Sequence, residues 1–377
     1  MNKTGSSYKK YNIFDLFAGA GGLSYGFFLT KRFNIIGANE ILKDAGIAYK
    51  LNHPETKVFI KDICELTRED IEKEIGGCIK KIDIVIGGPP CQAYSTAGKR
   101  LMSDPRAILF QEYIRILREL NPRIFVFENV KGLLSMQKGE LFERIIKEFK
   151  SLEYKVYFKL LNSADFGVPQ QRERVIVVGT KLRKKYLFPN PTHYNPEKKV
   201  DLFSGNLKPY LTLGEAISDL PSLSNNDRKD QYATPPQNEF QKLMRENQQQ
   251  KLTEHSSPKN NEWLVKIMKI MPEGGSPKDL PEELRPKSGF GNSYCRLWWD
   301  KPSTTITRNL GTPSSARSIH PRDPRPLSTR EGARLQSFPD NYLFYGSKSS
   351  KNLQIGEAVP PLFAKAIAES IIKHMED

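Results

Sequence analysis

Only four cysteines (Cys64, Cys78, Cys91 and Cys295) and five histidines occur in 377 residues. The cysteines form no CxxC pair and have no companion histidines at zinc spacing, which argues against a disulfide framework and against a structural metal. No apolar run approaches the roughly 18 residues that span a bilayer, and the polar stretch from Met1 to Lys10 lacks the pattern of a signal peptide. A Walker lysine motif is also missing, so a long phosphate chain is not an expected ligand. These absences lead us to expect a soluble, cytoplasmic protein without a metal.

What is present is positive charge: 58 Lys and Arg against 43 Asp and Glu give a formal net charge of +15. Such a balance favours a polyanionic partner, of which nucleic acid is the commonest. The length suffices for a full core and points to two domains, since single cores seldom grow beyond about 250 to 300 residues.

From Tyr11 to Thr180 short apolar runs alternate with longer amphipathic ones, the pattern of a mostly parallel sheet covered by helices. Strands are expected at Ile13 to Phe17, Asn34 to Ala38, Val58 to Ile60, Ile82 to Ile86, Ile124 to Phe127, Lys155 to Leu161 and Val175 to Val178. Thr67 with Asp70 reads as a capping pair, and Phe110 to Leu120 has helical apolar spacing. After Lys181 the texture changes to prolines and a polar stretch, 222 to 262, with few residues able to form a core. Alternation returns around Leu297 to Thr307, and Val359 to Ile372 has helical spacing. The expected division is a catalytic and cofactor-binding domain over 1–185, a smaller loop-rich region over 186–314, and a C-terminal segment, 315–377, returning to the first domain.

Two short segments carry the chemistry. Gly87-Gly88-Pro89-Pro90-Cys91-Gln92 sets one thiol on a stiff turn directly after the run Ile82 to Ile86, and Glu128 closes the next apolar run. If those runs are neighbouring strands, thiol and carboxylate emerge side by side at the carboxyl edge of the sheet, where open α/β sheets bind ligands. Most lone cysteines are inert and buried, but the flanking prolines and Gln92 argue for a fixed, accessible sulfur. Glu128 taken alone reads equally well as half of a structural ion pair, and Gln170 to Arg174 as the salt-bridged start of a strand.

The first strand runs into Asp15-Leu16-Phe17-Ala18-Gly19-Ala20-Gly21-Gly22, whose glycines let the backbone approach a ligand. It is a poor dinucleotide fingerprint, because Ser24 stands where the third glycine of GxGxxG belongs. Glu40 is placed to accept from a ribose and Asp62 to hold an adenine amino group. Alone, each reads as a solvated carboxylate; together with the turn they suggest a nucleoside-bearing cofactor.

Taken together, DLFAGAGG (15–22), GGPPCQAYS (87–95), FENV (127–130), NSADFGVPQQRERV (162–175), TREGARLQSFPD (329–340) and IGEAVPPLFAKAI (355–367) resemble, in order, the motifs of the cytosine-C5 DNA methyltransferases of bacterial restriction-modification type. The resemblance covers most of 11–181 and 300–372. It implies a Rossmann-like sheet that uses S-adenosylmethionine and releases S-adenosylhomocysteine, with a loop-rich target-recognition domain. Carried over, Cys91 is the nucleophile, Glu128 binds and protonates cytosine N3, and Arg172 and Arg174 steady the flipped base and the nucleophile loop. Phe17, Gly19, Gly21, Gly22, Leu23, Glu40, Ile41, Asp62, Ile63, Gly88, Leu109, Glu357 and Ala358 fall on the cofactor site. Gln92, Ser95, Lys99, Arg100 and Thr307 fall on DNA-contacting positions, with Ala93 to Asp104 in a loop that closes over DNA. One departure is Gly356-Glu357-Ala358, where the family has Gly-Asn-Ala or Gly-Asn-Ser.

The resemblance implies double-stranded DNA as partner, monomeric action on it, and a cognate restriction endonuclease. A tRNA-modifying relative and a catalytically impaired DNA-binding relative are the alternatives; the long polar insert before Thr307 and Gln92-Ala93 favour DNA over RNA.

Overall fold

The computed structural model describes residues 9–77, 82–90, 105–198, 206–246, 251–287 and 291–376. Its centre is one sheet of β1 (Tyr11–Leu16), β2 (Phe33–Glu40), β3 (Lys57–Ile60), β4 (Ile82–Gly87), β5 (Ile124–Val130), β6 (Lys155–Asn162) and β7 (Glu173–Thr180), in the order β3-β2-β1-β4-β5-β7-β6. The pairs β1/β2, β1/β4, β2/β3 and β4/β5 are parallel, whereas β5/β7 is antiparallel. All seven expected strands are present, with shifted ends. β1 stops at Leu16 rather than Phe17 because Phe17 takes a left-handed conformation, φ 55°, which breaks the pleat. β5 runs three residues past Phe127 because β7 pairs with it as far as Val130.

Between β1 and β4 the chain changes direction across the sheet, which leaves a crevice at the carboxyl ends of both strands. Helices α1 (Gly22–Leu29), α2 (Lys43–Asn52), α3 (Arg68–Ile75), α4 (Pro105–Leu120) and α5 (Glu140–Ser151) connect the first strands. Thr67 and Asp70 form the expected reciprocal capping box on α3. α5 places Leu141, Phe142, Ile145 and Phe149 on one buried face. There Phe149 meets Phe125 at 4.3 Å and Tyr113 meets Phe127 at 5.4 Å between ring centroids. Each such side chain contributes about 1.5–3 kcal/mol by leaving water.

The chain divides into two compact units, the first Met1–Leu161, Glu173–Asn190 and Ala364–Asp377, the second Asn162–Arg172 and Pro191–Phe363. The second is built from short helices, α6 (Leu213–Ile217), α7 (Glu239–Met244), α8 (Glu262–Ile270), α9 (Thr329–Leu335) and α10 (Lys348–Glu357), joined by long loops. The alternation at Leu297 to Thr307 does not make a strand: that stretch forms one isolated bridge, Gln170 with Ser303. Beside buried apolar residues such as Phe240, Ile267, Leu297 and Phe338, this unit packs around charge. Arg334, fully buried, forks its guanidinium to Asp219 and Asp340, and Arg325 does the same to Asp323 and Glu331. Even the polar stretch 222–262 takes part, through the Tyr232 hydroxyl on Asp340 and His255 on Ser328. A last helix, α11 (Pro361–Glu376), starts in the second unit and ends in the first. Among the described residues no helix is long and apolar enough to cross a membrane.

Candidate active site

Three residues of the glycine turn after β1 are left-handed: Phe17 (φ 55°), Gly19 (φ 56°) and Gly21 (φ 93°). Glycine takes such angles freely, while Phe17 does so at a cost of about 1–2 kcal/mol, and strain of this kind collects at functional sites. The turn is pinned by the Ala18 amide donating to the Asn39 carbonyl and by the Gly19 amide donating to Glu40 Oε2 at 2.8 Å. Glu40 Oε1 takes the Leu42 amide, also at 2.8 Å, so one carboxylate at the end of β2 holds its own strand and its neighbour's turn. Among the described residues, none beyond its two chain neighbours has an atom within 4 Å of where a Gly19 side chain would begin.

Around this edge stand the other residues expected there. Gly22 and Leu23 open α1 and are buried, Phe17 and Leu109 are half-buried against the core, and Ile41 is 60% exposed. At the end of β3, Asp62 Oδ1 accepts the Cys64 amide, and Ile63 is buried.

Beside the turn, β4 and β5 are adjacent, with Gly87 opposite Phe127. Glu128 therefore stands next to Gly88. A Cβ on Gly88 would lie 2.7 Å from Glu128 Oε2, so that position tolerates only glycine without a shift. The other oxygen, Oε1, meets Arg174 Nε at 2.8 Å, with both side chains 12% exposed. The antiparallel register that sets Val130 opposite Arg174 and Ile176 opposite Glu128 brings them together. Asn129, buried, donates from Nδ2 to the Pro89 carbonyl at 3.0 Å and so ties the Pro-Pro turn to β5. Sequence reasoning gave Asn129 no role, although an amide following the glutamate at a strand end was a usable signal. Cys91 itself lies outside the described residues, as do Gln92, Ser95, Lys99 and Arg100.

In the second unit Arg172 is buried and donates to two backbone carbonyls, Ile306 at 2.9 Å and Gly356 at 3.0 Å. It thereby clamps the segment before Thr307 to the end of α10. Gly356 packs so closely there that a Cβ would lie 2.2 Å from the Thr307 carbonyl carbon. Gln170, fully buried and unassigned from sequence, receives the Ile306 amide and donates to Gln336, whose own Nε2 donates to the Ile355 carbonyl. Thr307 is exposed at the edge of this network. Ala358 follows α10 half-buried, and Glu357 ends the helix with its carboxyl raised above the ordinary range by desolvation, an effect that Arg308 and Arg172 oppose.

A glycine turn at the switch point of a mostly parallel sheet, and a carboxylate braced by arginine two strands away, share one edge of that sheet. The sequence profile of the C-5 cytosine-specific DNA methylases matches residues 11–373. The chain belongs to that family. It is 35% identical over 362 residues to the type II methyltransferase M1.HphI of Haemophilus parahaemolyticus, covering 95% of this chain and 86% of that protein. It is likewise 35% identical over 393 residues to M.DdeI of Desulfomicrobium norvegicum, covering 97% and 89%. An E. coli prophage-encoded protein assigned as a DNA modification methyltransferase shares the fold at a TM-score of 0.76 and 22% identity, covering 98% of this chain and 100% of that one. A Spodoptera frugiperda DNMT2 mutant does so at 0.62 and 20%, with the same coverages. The family membership makes this chain a cytosine-C5 DNA methyltransferase with a Rossmann-like α/β sheet.

Proposed function

We propose that the chain rotates a cytosine out of duplex DNA and methylates it at C5 through a covalent bond from Cys91 to C6, within a restriction-modification system. The observation that carries this reading is the Glu128–Arg174 pair, seated against Gly88 three residues before Cys91. Cytosine C5 is a poor nucleophile, and addition of the Cys91 thiolate to C6 makes the ring electron-rich. Glu128, protonated or sharing a proton with N3, neutralises the charge that develops on the ring. Arg174 fixes one oxygen of that carboxyl, so the other is aimed rather than free to rotate. Removal of the C5 proton and elimination of Cys91 restore the aromatic ring.

S-adenosylmethionine, when bound, supplies the methyl group and leaves as S-adenosylhomocysteine. The open side of Gly19, the carboxylate of Glu40 at the strand end and the exposed apolar Ile41 fit a nucleoside without a phosphate chain. The bond from C6 is out of reach inside a duplex, so base rotation at roughly a few kcal/mol is required, offset by phosphate contacts from a chain of charge +15. The region 186–314 carries target recognition, Thr307 touches DNA near the target, and Arg172 acts by holding the Thr307 segment. The enzyme works as a cytoplasmic monomer on nucleoid DNA beside an endonuclease of the same specificity, as the type II names of the relatives suggest.

Bisulfite sequencing of plasmid from cells expressing the chain tests this. Protected cytosines at one short sequence, absent with Cys91→Ala, are expected. Unprotected plasmid together with tritium transfer to tRNA would transfer the substrate to RNA.

A further inference from the structure

Behind the glycine turn lies a buried group that the mechanism above does not use. Asp15, the last but one residue of β1, is fully buried, and its Oδ2 accepts from Ser24 Oγ at 2.6 Å. Ser24 in turn accepts from the Tyr49 hydroxyl at 2.7 Å, and Tyr49 lies 3.5 Å from the same Asp15 oxygen. Both partners are fully buried as well, and Asp15 Oδ1 has no hydrogen-bond partner. Three elements meet here: β1 through Asp15, the first turn of α1 through Ser24, and α2 through Tyr49. Next to Tyr49, at 4.7 Å between ring centroids, His53 hydrogen-bonds the backbone of Gly21.

We propose that Asp15 is a positioning residue for the cofactor: through Ser24 and Tyr49 its carboxyl locks the strand end to the helix start and so holds the left-handed turn 17–21 in its binding shape. This rests on reading the glycine turn as the S-adenosylmethionine site. It also explains Ser24. A third glycine at that position lets a helix pack close to its strand; a hydroxyl there hydrogen-bonds the strand instead.

The neutral form follows from the surroundings. An ionised carboxylate with one oxygen unpaired in a dry core is costly. Ser24 faces Asp15 from α1, Tyr49 from α2, Glu40 from the end of β2 and Tyr113 from α4, and none is cationic. Burial pushes Asp15 up to about 7, against the pull of the Ser24 hydrogen bond, and the Glu40 charge adds to the rise. Burial holds the nearby His53 down at about 4, so it stays uncharged over the same range. Alkaline solution therefore places a charge behind the turn and loosens it.

The test is calorimetric binding of S-adenosylhomocysteine to the full chain between pH 6 and 8.5, with thermal melting of the ligand-free protein over the same range. Wild type should lose about thirtyfold in affinity across that range, since only the neutral fraction binds. Asp15→Asn, the uncharged isostere, should bind within about twofold of the wild-type pH 6 value throughout. Ser24→Ala should bind weakly at every pH. In melting, Asp15→Asn should gain on wild type as pH rises. Parallel binding profiles for wild type and Asp15→Asn would overturn the proposal. If wild type binds no S-adenosylhomocysteine at any pH, the cofactor reading fails, and the melting difference still decides whether Asp15 titrates behind the turn: a difference that grows with pH upholds the lock, a constant one ends it.

Discussion

Glu128 and Arg174 show how a residue's role is set by what touches it. A carboxylate at the end of an apolar strand could be half of a structural pair or a catalytic acid, and the structure gives it the partner Arg174 while leaving its second oxygen against Gly88. If Glu128 delivers a proton to the ring, Glu128→Gln should lower turnover by about 10²- to 10⁴-fold while DNA affinity changes little. Single-turnover methyl transfer alongside a binding titration separates the two, and equal losses in both would make Glu128 a DNA contact. Arg174→Lys keeps the charge but loses the planar guanidinium, so we expect about a tenfold loss of rate or more, because a point charge on a flexible stem cannot fix the carboxyl's orientation. Glu128 was legible because charge inside an apolar run stands out. Asn129 and Gln170 were not, since an amide in a polar motif gives no sign of which carbonyl it will reach.

Element by element, legibility follows locality. The α3 capping box and the seven strands depend on residues a few positions apart, and these the sequence displays. α9 is the opposite case: Thr329–Leu335 is dense in charge and stood out only as part of a motif, yet Arg330, Glu331 and Arg334 are all buried. Of their partners, Asp340 and Arg325 stand six positions away in the flanking loops, but Asp219 lies 115 positions from Arg334, and that long reach has no local signal. Removing one member strands the others, and Arg334→Met should cost about 3–5 kcal/mol in urea unfolding. A cost under about 1 kcal/mol would show that water reaches the pair. The same network fixes an acid response. Although burial alone would raise Glu331 and Asp340, the Arg325 guanidinium holds the Glu331 carboxyl well below the ordinary range and the Arg334 guanidinium lowers that of Asp340. A lowered carboxyl stabilises the fold fully above its unfolded pKa and ceases to do so as pH falls through the folded one. That contribution should be constant from pH 7 to about pH 5, then be lost progressively in acid, so urea midpoints of wild type and Arg334→Met should converge as pH drops.

For the whole molecule, composition spoke clearly about partner and class but not about how the chain is divided. The second unit takes in Asn162–Arg172 as well as Pro191–Phe363, joined by hydrogen bonds such as Arg172 to Ile306 and Gly356 made across more than a hundred residues. No local pattern encodes such a choice. The excess of positive charge should make duplex affinity fall steeply with salt, by roughly 10³- to 10⁵-fold between 50 and 200 mM if six to ten phosphates are engaged. Fluorescence anisotropy at several salt concentrations gives that slope, and a flat response would remove phosphate contacts from the binding energy.

The claim on which the rest depends is the bond between Cys91 and C6 of the target base. Duplex DNA carrying 5-fluorocytosine at the methylated position tests it directly, because fluorine at C5 cannot leave as a proton and the adduct is trapped. Incubation with S-adenosylmethionine should yield a denaturant-stable complex whose crosslinked peptide contains Cys91, and Cys91→Ser should form none. Methyl transfer to ordinary cytosine without any such complex, or a crosslink to another residue, would contradict it.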